Sequence, residues 1–263
     1  MQPTTSRTQR RRPPVEDRRM AIKALAVDDR NQLLRAVASY LKDRSPRVRE
    51  TALEVARDEV LSELDDQVHS LLSDKNDFVR QRAIECLGDF HEGEAIEVPW
   101  LYPFLQHPNV LTRVETLESL LRIGDKKALP LMVESLRDDD YLVRAYAAIS
   151  IAELGGKRFR KQIESAAKAE EVETAKPWFA RALFLLGDQG QFQKLLEFLS
   201  STRPTPRCTS ANALADLPLS PDQLVSALAA VSHAARNSIA NSDRSTTERV
   251  EEQLRERIST QQN

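Results

Sequence analysis

Glycine is scarce in this chain, at seven of 263 residues, and aromatic side chains make up 5% of it. Sheets of this size need many tight turns, where glycine is the usual residue, and aromatic-rich strands to pack, so the composition argues against a sheet-based fold. The two cysteines, Cys86 and Cys208, are too few for a disulfide framework or a structural zinc site. No uninterrupted apolar run approaches the roughly 18 residues that cross a bilayer. The first residues carry arginines and prolines in place of an apolar signal core, so a cytoplasmic location is expected. A glycine-rich phosphate loop, a paired-cysteine metal motif and a nucleophile elbow are all missing. The histidines, His69, His91, His107 and His233, are scattered, and only His91 with Glu92 forms a suggestive pair. No catalytic, metal-ligating or cofactor-binding residue is expected.

What is present is a period. A basic residue recurs at Arg18, Arg49, Arg80, Arg113, Arg144, Lys176 and Arg207, in steps of 31, 31, 33, 31, 32 and 31 residues. Three places later stands a small or apolar residue (Ala21, Ala52, Ala83, Thr116, Ala147, Phe179, Ser210). Seven places later an aliphatic one follows (Leu25, Ala56, Leu87, Leu120, Ile151, Leu183, Leu214). A two-helix unit of this length cannot bury its own apolar face and must stack on a neighbour. With 41% hydrophobic and 30% charged residues, each helix has one apolar stripe and leaves its other faces wet.

Taking the basic residue as position zero, positions −1, +3, +4, +6 and +7 share one side of the second helix of each unit. Around Arg80 these are Val79, Ala83, Ile84, Cys86 and Leu87, and Leu61, Leu64, Val68, Leu71 and Leu72 supply the preceding helix. Later first helices are expected at 101–105, 129–136, 163–167, 192–199 and 224–228. Ser45–Pro46, the polar run 73–77, His107–Pro108 and Arg203–Pro204 break the helices apart. The spacing predicts an all-α, right-handed α-solenoid of stacked antiparallel helix pairs over residues 15–240. A basic tail spans 1–14, with Arg7, Arg10, Arg11 and Arg12 and no acid, and is expected to be disordered. Residues 241–263 are expected to form a capping helix and tail, with Val250, Leu254 and Ile258 as its stripe and Ser245 with Glu248 as a capping box. Acids often precede the repeated arginine, as Asp77 precedes Arg80, so the arginines are expected to pair with acids of their own or an adjacent unit.

The segments 77–89 and 141–149, containing Phe78-Val79-Arg80 and Leu142-Val143-Arg144, resemble the HEAT-like repeats that also occur in phycobilin lyase subunits. The resemblance covers roughly residues 15–230 and implies an α-solenoid. The repeat serves scaffolds, inhibitors and a few enzymes alike. HEAT-like hydroxylases carry several His-Glu pairs on different repeats, and this chain has one.

Outward positions of the second helices describe what a partner would meet. Positions +5 and +9 carry Glu54, Asp58, Glu85, Asp89 and Glu118, then Arg122, Ile149, Glu153 and Arg181, and +8 and +9 of the sixth unit carry Phe184 and Leu185. The first part reads as an acidic ridge, whose field favours a basic protein surface and disfavours nucleic acid. The expected function is a noncatalytic scaffold or inhibitor that binds a partner protein on this face, an immunity-type protein being one concrete form. The alternatives are a subunit resembling the phycobilin lyases and a nucleic-acid binder resembling HEAT-like glycosylases, which would use the tail and the arginines.

Overall fold

The structure is a computed structural model describing residues 13–25, 29–237 and 241–262. The tail arginines Arg7, Arg10, Arg11 and Arg12 lie outside the described residues. Among those described there are fourteen α-helices and no strand. The chain divides into two compact units, 1–92 and 93–263. Their boundary falls inside the widened 33-residue step between Arg80 and Arg113.

The first unit holds α1 (Val15–Lys23), α2 (Arg30–Tyr40), α3 (Pro46–Asp58), α4 (Asp65–Ser70) and α5 (Asp77–Phe90). The second helices α1, α3 and α5 pack side by side, and α2 and α4 form the other layer. Local chemistry sets the helix starts. Pro46 opens α3, where its missing N–H costs nothing. Asn76 Oδ1 accepts the Phe78 and Val79 N–H groups to cap α5. The stripe predicted for α5 is fully buried: Val79, Ala83, Ile84, Cys86 and Leu87 each have 0% exposure. Burying side chains of this size stabilises by about 1.5–3 kcal/mol each for the larger ones, which explains why a helix this polar elsewhere holds its place.

The second unit holds α6 (Val110–Ile123), α7 (Leu129–Glu134), α8 (Tyr141–Glu153), α9 (Arg160–Ala169) and α10 (Lys176–Leu185). After these come α11 (Gly190–Leu199), α12 (Pro204–Ala215), α13 (Pro221–Arg236) and α14 (Asn241–Gln262). The second helices α6, α8, α10, α12 and α14 pack in sequence. The first helix expected at 101–105 is instead a 3-10 turn, Tyr102–Gln106. Pro103 removes an N–H from that segment, and with Pro99 and Pro108 close by a full helix cannot run. Helix α6 ends at Gly124 in the left-handed region, φ 85°, with Ala95 packed 3.4 Å from where a Cβ would sit.

The C-terminal helix α14 runs over Asn241–Gln262. Ser245 and Glu248 lie inside α14, so they form no capping box; the observed box is Ser220 with Gln223 at the start of α13. Val250 and Leu254 are buried against the last core, and Ile258 packs partly against it. Arg257 donates to the carbonyls of Ala215 and Leu217 and fixes α14 to the end of α12.

Within each unit, most of the repeated arginines join one repeat to the next. Arg18 pairs with Asp43 at 3.1 Å, Arg49 with Asp74 at 2.7 Å, Arg113 with Asp138 at 2.7 Å and Arg144 with Glu170 at 2.8 Å. Each of these acids stands six residues before the next basic residue of the series. That next arginine in turn donates to the acid's backbone carbonyl: Arg49 to Asp43 at 2.7 Å, Arg80 to Asp74 at 2.6 Å and Arg144 to Asp138 at 2.7 Å. The acid's side chain also takes the N–H two residues on, Ser45, Asn76, Asp140 or Val172. One carboxylate thus holds the interhelix turn and the preceding repeat together. Most of the acids that precede an arginine closely in sequence are not its partners. Arg80 and Lys176 are the exceptions, bound to Asp77 and Glu173 three residues before them. They are the two cases whose following unit carries His107 or Ser201 in place of the acid.

Candidate functional site

On the second-helix face of the first unit, the expected acidic row is interleaved with cations. Lys23 of α1 pairs with Glu54 of α3 at 3.1 Å. Arg57 of α3 pairs with Asp58 at 2.7 Å, bridges to Glu85 of α5 and lies 4.0 Å from Asp89. Arg82 closes on Glu85 from the same helix. The hydrogen bond to Asp58, then the nearby Glu85, holds the Arg57 guanidinium firmly protonated against the cost of its partial burial. Glu54, Asp58, Glu85 and Asp89 therefore form ion-pair rows, which corrects the reading of a bare negative ridge. Counting acids at +5 and +9 overlooked the base at +8, whose guanidinium reaches the next helix.

In the second unit the same face opens into a groove of about 480 Å³. Glu118 and Leu121 come from α6, Tyr146, Ile149, Ser150 and Glu153 from α8, and Trp178 and Arg181 from α10. Asn212, Ala215 and Asp216 close it from α12 and its C-terminal end, and Arg249 reaches in from α14. Arg181 donates to Glu153 Oε1 at 2.9 Å and to the Ala213 carbonyl at 3.0 Å, linking the second helices α8, α10 and α12. Arg249 donates to Asn212 Oδ1 at 2.6 Å. Burial, then the nearby Glu118 and Glu115, raises the Tyr146 phenol above its ordinary range, so it stays a protonated donor.

Four of the residues singled out from sequence, Glu118, Ile149, Glu153 and Arg181, meet in this groove. Arg122 does not line it: its guanidinium turns to Glu115 at 2.7 Å and Ser119 at 3.0 Å on its own helix. Phe184 is not a surface residue. It is 4% exposed, sits in the core with its ring centroid 6.4 Å from that of Phe192, and is withdrawn as a contact residue. Leu185 is half-buried against the same core. The residues overlooked are mainly Tyr146, at +2 and one turn from the +5 row, and Asn212 and Asp216, at +5 and +9 of the last repeat; Trp178, also at +2, belongs to the segment 177–186, which is apolar almost all round. Arg249 belongs to the cap, outside the period.

His91 Nε2 lies 2.8 Å from Asp65 Oδ1 in the other helix layer. Among the described residues no group of three or more His, Cys, Asp or Glu side chains could hold a metal ion. What this groove offers is an aromatic and aliphatic floor with a fixed polar rim, which suits recognition of another surface.

Stacked helical hairpins joined through an arginine and a turn acid define an α-helical repeat protein. Residues 98–183 match the family model of HEAT repeats. Its fold is similar to the solved complex of CpcE and CpcF of phycocyanin lyase from Nostoc sp. PCC7120. That match is 17% identical, covers 84% of this chain and 94% of that one, and has a TM-score of 0.58. An engineered protein is 16% identical over 90% of this chain and 71% of its own, with a TM-score of 0.43. An archaeal HEAT-like repeats protein from Thermococcus onnurineus is 16% identical over 94% and 100%, with a TM-score of 0.36. No curated protein sequence matches the chain significantly.

Proposed function

We propose that this chain is a noncatalytic interaction scaffold or inhibitor whose second-helix face in residues 93–263 receives a partner protein. The observation that carries this reading is the groove in which Tyr146, Ile149 and Trp178 are flanked by the Glu153–Arg181 pair. Aromatic and arginine side chains in a recess are the residues that most often dominate binding energy at protein interfaces. The groove's acids, Glu118, Glu153 and Asp216, face two arginines, Arg181 and Arg249, so a partner presenting basic groups at the rim is favoured. A cytoplasmic immunity-type protein covering a basic toxin is one concrete form of this reading. No described helix is long and apolar enough to cross a membrane.

The ladder arginines Arg18, Arg49, Arg113 and Arg144 are occupied by acids within the fold, so a phosphate-binding ladder finds no support from them. A subunit like those of the phycocyanin lyase rests on likeness of fold, and pigment copurifying with the chain would bring that reading forward.

Affinity purification from the native host with cross-linking mass spectrometry tests the proposal. Cross-links should map to α8, α10 and α12, and Trp178→Ala combined with Ile149→Glu should release the partner while circular dichroism stays unchanged. A partner retained by that folded variant would reject the groove.

A further inference from the structure

The first-helix layer of the second unit contains a second recess, of about 790 Å³, between α7 and α9. This lies within the roughly 300–1,000 Å³ of typical ligand pockets. Its origin is compositional. Helix α9 turns Ser165, Ala166 and Ala169 towards the recess, on one stripe with Lys161 and Gln162. These small side chains leave the recess open, and α9 has one fully buried residue, Ile163. The apolar floor comes from Val133, Leu136 and Val172.

The rim of this recess is cationic. Arg137, Arg158 and Lys161 are exposed and, among the described residues, none is paired with a carboxylate. Arg158 lies over the Phe159 ring, 4.6 Å from its centroid, and its charge stands at the cleft with those of Arg137 and Lys161. The remaining charges at the cleft are the Arg144–Glu170 pair, which is internally satisfied, and one exposed acid, Glu171.

We infer that the cleft between α7 and α9 docks an acidic amphipathic helix of a partner protein. An apolar stripe on that helix fills the space left by Ser165, Ala166 and Ala169, while its flanking carboxylates pair with Arg137, Arg158 and Lys161. A nucleic acid or an anionic membrane would meet the same cations but would leave the apolar floor unfilled. The cleft lies on the other helix layer from the groove described above and shares no residue with it, so the two readings stand or fall separately.

The test uses the full chain and a fluorescein-labelled peptide of about three helical turns, with leucines on one stripe and glutamates elsewhere, read by fluorescence anisotropy. Saturable binding is expected, weakening as salt rises. The charge reversals Arg137→Glu with Lys161→Glu should weaken it about tenfold or more, the loss of a dominant contact. Ala166→Trp, which fills the floor, should weaken it similarly; if that variant unfolds, the charge reversals decide. A peptide with lysines in place of the glutamates should not bind. The inference is overturned by absence of saturable binding, by equal binding of the lysine peptide, or by folded variants that bind as the parent does. It is also overturned if a DNA duplex or phosphatidylserine vesicles bind more tightly than the peptide through the same three residues, since phosphate would then be the ligand.

Discussion

Arg113 and Asp138 meet at 2.7 Å across successive repeats, and the backbone carbonyl of that aspartate simultaneously accepts Arg144 Nη1 at 2.7 Å. The two side chains are each 13% exposed, so the pair is well shielded from water. Removing the carboxylate strands a partly buried guanidinium and unties the turn that Asp138 closes through the Asp140 N–H. Asp138→Ala should cost about 2–3 kcal/mol, read by urea denaturation, with Asp138→Asn losing less because it keeps the turn hydrogen bond. A change within about 0.5 kcal/mol, the size of an ordinary surface substitution, would show that the ladder adds nothing to stability.

Glu170 makes this ladder pH-sensitive. Its burial raises the carboxyl's pKa, but the Arg144 hydrogen bonds and the Val172 N–H outweigh that, and the net direction is down. A carboxylate lowered in the folded state stabilises fully above its unfolded pKa, and that contribution is lost as pH falls through the lowered folded value. The stability gap between the parent and Glu170→Gln should therefore be full at neutral pH and close below about pH 4. A gap that stays constant down to pH 3 would contradict this assignment.

The two thiols should react in a fixed order. Burial pushes the Cys86 thiol far above its ordinary range, and burial with the Asp243 hydrogen bond raises Cys208 less. Thiolate is the reactive form, so folded protein at neutral pH should label at the half-buried Cys208 first and at Cys86 on unfolding. Fast stoichiometric labelling of both without denaturant would place Cys86 outside the core.

Helix α9 should be the least protected helix of its unit. With Ile163 as its one fully buried residue, its amides are expected to exchange hydrogen faster than those of α8 and α10 by mass spectrometry. Ile163→Ala should cost about 2–3 kcal/mol and expose α9 selectively. Uniform protection across the three helices would be the contrary result.

Phe184 and Trp178 should separate core from surface. Phe184→Ala is expected to lose about 3–4 kcal/mol of stability, because it empties space beside Phe192. Trp178→Ala should lose clearly less while abolishing partner capture. Equal stability losses would mean that both rings serve packing alone.

The period of about 31 residues and the apolar stripe were legible along the chain, because burial acts on residues at fixed helical spacing whatever their neighbours are. Val79, Ala83, Ile84, Cys86 and Leu87 could be named from spacing alone and are fully buried. The acid six residues before four of the seven basic residues was equally visible in the pattern, at Asp43, Asp74, Asp138 and Glu170. Its meaning depends on a partner in the preceding repeat, and a sequence does not display that distance. The outward face was harder still. An acid at a wet position shows its charge but not which cation reaches it, so Glu54 and Glu85 looked bare until Lys23 and Arg57 were seen to cross between helices. Only packing decided that Phe184 turns inward while Trp178 lines the groove, and that Arg249, outside the period, completes its wall. Local spacing determines which residues leave water. How neighbouring helices lie against one another determines which of the remainder meet.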